Sequence, residues 1–146
     1  MLPFAVLGTA CIVLGGLVSA AIAPAPTEHG AWAAAYLVLV GGVAQVALGA
    51  GQALLAPAAP PRRAAYSEMI GWNTGNVAVL TGTLLGFTWL ADIGGAVLVV
   101  SLALVIRQMR GTVRRPAWPL YLYRGLVALV LVSIPVGLVL AEFRSV

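Results

Sequence analysis

The chain has no lysine, one histidine, one cysteine and four acidic residues, and only 8% of its 146 residues carry charge. A water-facing surface needs roughly a quarter of its residues charged, so this shortage excludes an ordinary soluble domain. The lone cysteine, Cys11, excludes an intrachain disulfide and a cysteine-rich metal centre. It sits among apolar residues, where a thiol is a small hydrophobe. The lone histidine, His29, leaves at most one imidazole ligand per chain for a haem. Nucleophilic catalysis lacks its parts too, because Ser67, Ser101 and Ser133 have no histidine in their leaflet. The glycine-rich GGVAQVALGAG lacks the lysine that a phosphate-cradling loop uses.

What the chain has instead is apolar length. Hydrophobic residues make up 62% of it, and the mean hydropathy is +1.04. Its apolar runs are long enough to cross a bilayer and are separated by short breaks. The non-apolar stretches PAAPPRRAAYSE and RQMRGTVRRPAW are too short to bury a core of their own. The expected fold is therefore all-α: residues 1–146 as one integral membrane domain, a polytopic helical bundle in the inner, cytoplasmic membrane.

Five transmembrane helices are expected, at about residues 4–23, 31–56, 69–90, 93–109 and 119–141. No positive residue precedes the first run, so it reads as a retained span rather than a cleaved signal. The PAAPP cluster closes the second, since proline cannot continue a helix. Residues 69–109 are apolar throughout and as one helix would measure about 60 Å, twice the hydrocarbon thickness. They must turn, and LADIGG at 90–95 is the expected reversal, with Asp92 as a cap and Gly94-Gly95 relaxing the backbone. Without that turn the chain has four spans.

Arginine sets the expected orientation. Arg62, Arg63, Arg107, Arg110, Arg114, Arg115 and Arg124 fall on one side of the five-span arrangement, and only Arg144 on the other. The positive-inside rule then puts the N-terminus in the cytoplasm and the C-terminus outside. The basic balance serves topology rather than nucleic acid, which would need a basic face with stacking aromatics on a soluble fold.

Within lipid, helices meet through small residues and interhelical hydrogen bonds. Gly8, Cys11, Gly15 and Ser19 mark such a stripe in span one, and Gly71, Gly75, Ala78, Gly82 and Gly86 one in span three. Gln45 and Gln52, seven apart, share a face of span two, as Asn73, Asn76 and Thr83 share one in span three. Amides in hydrocarbon need partners, so these five residues are expected to bond across a seam between the two spans. Such a seam is either structural glue or a polar ligand path. Glu28, His29, Asp92 and Glu142 form a second polar set at the outer side. His29 is the one imidazole there that could serve a metal or a proton, although no metal site is expected.

The functional expectation follows from these absences and stripes. The chain reads as a small, non-enzymatic membrane protein that works by helix association, as an accessory or stabilising subunit of a larger membrane complex or as a homo-oligomer. Its partners would be membrane lipids, other membrane subunits or itself. The alternative is a transport or binding bundle for a small solute or lipophilic ligand, using the seam. A third reading is a redox subunit holding haem or quinone near His29 and Trp32. No cofactor is required by any motif.

Overall fold

The computed structural model describes residues 2–55 and 61–108, together with Gly125. Among them the chain is helical with no strand, as its apolar runs require. Helix α1 spans Leu2–Ile22. A second long helix is built of α2 (Glu28–Tyr36), a π-helical stretch (Leu37–Ala44) and α3 (Gln45–Leu55) in direct succession. Helices α4 (Arg62–Leu85) and α5 (Thr88–Gln108) complete the described fold. Three helices are long and apolar enough to cross a membrane: Leu2–Ile22, Glu28–Leu54 and Thr88–Arg107. Helix α4 has the length, at 24 residues, but Arg62, Arg63, Glu68, Asn73 and Asn76 dilute its apolarity. The expected fifth span, 119–141, lies outside the described residues.

Two details of the expected helix ends are corrected. The second helix starts at Glu28 rather than Ala31, because Thr27 is its cap. Thr27 has extended backbone (φ −115°, ψ 149°), and its Oγ1 accepts a hydrogen bond from the Gly30 N–H at 3.1 Å. Glu28 is left as a first-turn acid suited to the positive helix end. The larger correction concerns the reversal, which falls at Gly86-Phe87 and not at LADIGG. Gly86 takes the left-handed conformation at φ 73°, which glycine adopts without the steric cost of a Cβ. The Phe87 N–H reaches back to the Gly82 carbonyl at 2.8 Å, closing the end of α4 in the manner of a glycine C-cap. Asp92 is consequently an exposed residue inside α5 rather than a cap.

The helices form two pairs, each packed on glycine. In the first, α1 lies antiparallel to the second helix. A Cβ on Gly8 would stand 2.9 Å from the Gly42 carbonyl oxygen, and one on Gly15 2.9 Å from that of Ala34. In the second pair, α4 and α5 approach as closely: a Cβ on Gly94 would lie 2.7 Å from the Val79 nitrogen. Gly94 therefore serves contact between helices rather than the turn assigned to it. Between the pairs the spacing is wider and long side chains fill it. Phe4, Leu48, Trp72, Leu98, Leu102 and Val105 form the buried apolar cluster there, drawn from every helix.

Candidate polar site between the helix pairs

The gap between the pairs also collects the polar side chains of the interior. Gln45 is fully buried, Gln52 and Glu68 are 1% exposed, and Asn76 is 8% exposed. On α4, Glu68, Trp72 and Asn76 recur every four residues and so share one stripe. On α3, Gln45 and Gln52 stand two turns apart on the face that also buries Leu48. The two stripes oppose each other.

Two hydrogen bonds bridge them. The Gln52 Nε2 donates to the Glu68 Oε2 at 2.5 Å, a charge-assisted contact when the carboxylate is ionised. The Tyr36 hydroxyl donates to the Asn76 Oδ1 at 2.8 Å, while the Asn76 Nδ2 donates to the Trp72 carbonyl at 2.8 Å. Tyr36 is held in place by stacking on Trp32, ring centroids 5.1 Å apart. Between the bridges, on facing helices, lie groups without hydrogen-bond partners among the described residues: both amide atoms of Gln45, the Gln52 Oε1 and the Trp72 Nε1. A buried polar group left in this way costs about 1–3 kcal/mol.

The expected seam residues are thus partly assembled. Gln45, Gln52 and Asn76 face inward, but none bonds to another. Asn73 instead donates to the Met69 carbonyl of its own helix at 2.8 Å, and Thr83 is half-buried with no side-chain hydrogen bond among the described residues. The residues that bridge to Asn76 and Gln52, Tyr36 and Glu68, lie outside the expected five. Trp72, also outside that set, is 1% exposed. The four-residue repeat of Glu68, Trp72 and Asn76, set against Gln45 and Gln52, is the signal that pairs these positions.

Among the described residues, the outer polar set forms no metal-ligating group. Glu28, His29 and Asp92 are exposed, and no three metal-ligating side chains come together among the described residues. His29 makes no side-chain hydrogen bond or ion pair within them. Glu142 lies outside the described residues. Cys11 is half-buried against the backbone of Gly41, where a Cβ would stand 3.4 Å from its sulfur. Comparison with models of protein families, with curated proteins and with solved structures gives no match.

Proposed function

We propose that this chain is a multi-pass protein of the cytoplasmic membrane that binds, and conducts between the two sides, a small polar solute along the seam between its helix pairs. One observation carries the reading: a completely buried Gln45 with both amide atoms unpartnered among the described residues, flanked along the seam by the Tyr36–Asn76 and Gln52–Glu68 bridges. Glue between helices should satisfy its polar atoms, since leaving them bare gains nothing. Helix α4 fits the membrane in this reading although it is the least apolar helix. It packs on α5 from Gly71 to Gly82 and turns its polar stripe away from lipid.

The test is aqueous access. In a Cys11→Ala background, Gln45→Cys is expected to react with a small thiosulfonate reagent in native membranes, whereas Val43→Cys, on the exposed face of the same helix, is expected to stay inert. Equal inertness at both positions would reject the seam as a path.

Association, as an oligomer or as an accessory subunit, has its own support. Gly16 has open space where a Cβ would go, and an apolar groove of about 590 Å³ runs beside it, lined by residues that include Ser19, Ala31, Ala35 and Leu39. Mass measurement of gently extracted protein tests this reading. A monomer without companions contradicts it.

A further inference from the structure

Resting on the seam reading above, we infer that the molecule accommodated there is uncharged and both donates and accepts hydrogen bonds: water itself, or a solute of urea or simple amide size. The unpartnered groups decide the class. The Gln45 Oε1 and Gln52 Oε1 accept, while the Gln45 Nε2 and Trp72 Nε1 donate. A bare cation would satisfy the two oxygens and leave two buried N–H groups without partners. An anion would do the reverse and would also meet the side chain of Glu68. Only a molecule with both functions answers the whole set, and turning the Gln45 amide over exchanges its oxygen and nitrogen without changing that count.

The placement is consistent. Trp72 lies four residues from Glu68 and four from Asn76, and Gln45 lies between Tyr36 and Gln52, so along both helices the open groups fall within the stretch that the two bridges bracket. The second observation is local backbone geometry. The eight residues Leu37–Ala44 that deliver Gln45 into the seam are π-helical, a rare form that concentrates at functional sites.

The experiment uses the full chain in liposomes. Stopped-flow light scattering follows water after an osmotic step, then urea and acetamide, and dyes report Na⁺, K⁺ and Cl⁻. The expected result is water or amide flux several times the protein-free rate, lost in Gln45→Met and reduced in Trp72→Phe. Flux of water alone identifies water as the occupant; flux of urea or acetamide identifies the solute. Gln45→Met removes unpartnered atoms and is expected to keep at least wild-type thermal stability, so its loss of flux is not unfolding. Ion flux that Gln45→Met abolishes, without neutral flux, overturns this inference while leaving the seam as a path. Absence of all flux overturns it too, and the labelling at position 45 then decides separately whether the seam admits water.

Discussion

Two glutamines on one helix face, seven residues apart, should respond to substitution in opposite directions. Gln45 is buried with no partner for either amide atom among the described residues, whereas Gln52 donates to the Glu68 carboxyl group. Replacing a bare polar group by an apolar one of similar shape removes a desolvation cost. Gln45→Met is therefore expected to raise stability by up to about 1–3 kcal/mol, read as an increase in the midpoint of thermal unfolding in detergent. Gln52→Met is expected to lower it by about 1–3 kcal/mol, since its hydrogen bond to Glu68 is lost while that side chain stays buried. Equal effects of the two would mean that they share one environment. The Tyr36–Asn76 contact can be isolated by a double-mutant cycle with Tyr36→Phe and Asn76→Leu; a coupling of about 0.6–1.7 kcal/mol is expected for a bond of this kind between membrane helices, and additivity would deny it. The inward direction of Gln45, Gln52 and Asn76 was legible from sequence because an amide in an apolar run has nowhere else to go. Their partners were not. Composition alone does not show that α4 turns Glu68 and Trp72 toward another helix pair, or that Tyr36 meets that stripe from α2.

Glycines carry the helices, and each does so for a different physical reason that substitution can separate. Gly94 meets the backbone of α4, with a Cβ position 2.8 Å from the Gly75 carbonyl oxygen. Gly94→Ala must push the two helices apart and is expected to cost about 1–3 kcal/mol, the range for overpacking. Gly86 has open space around it but a φ of 73°; Gly86→Ala is expected to cost about 1–2 kcal/mol through backbone strain alone. Gly16 has neither constraint, so Gly16→Ala is expected to be neutral or stabilising by at most about 1 kcal/mol. Chemical denaturation of the three variants in one detergent checks the order, and a costly Gly16→Ala would show that its face is covered in the folded state. The same distinction explains which parts of the fold could be read in advance. That residues 69–109 must reverse followed from length alone. The position of the reversal did not, because Gly86 and Gly94-Gly95 both supply backbone freedom and Asp92 favoured the second. What separates them is tertiary: Gly94 is consumed by the approach of α4, which leaves Gly86 to turn the chain.

At the scale of the whole molecule, glycine lies within the helix pairs and polarity between them, and this arrangement fixes which helix ends lie together. Gly8 faces Gly42 and Gly15 faces Ala34, so α1 and the second helix run antiparallel; Gly75 and Gly82 facing Leu98 and Ala91 make α4 and α5 antiparallel as well. The Gln52–Glu68 and Tyr36–Asn76 bridges set the pairs in register. The start of α1, the end of α3, the start of α4 and the end of α5 therefore share one end of the bundle, together with Arg62, Arg63 and Arg107. The opposite end holds Thr27, Glu28 and Phe87. Arginine is retained on the cytoplasmic side during insertion, so the arginine end should face inward. The prediction is tested by single cysteines in a Cys11→Ala background. Thr27→Cys and Phe87→Cys are expected to react with an impermeant maleimide in intact cells, whereas Arg63→Cys should react only after permeabilisation. The opposite pattern would reverse the orientation while keeping the pairs. Labelling of Thr27→Cys and Phe87→Cys from different sides would break the antiparallel register itself, and with it the opposition of Gln45 and Trp72 across the seam.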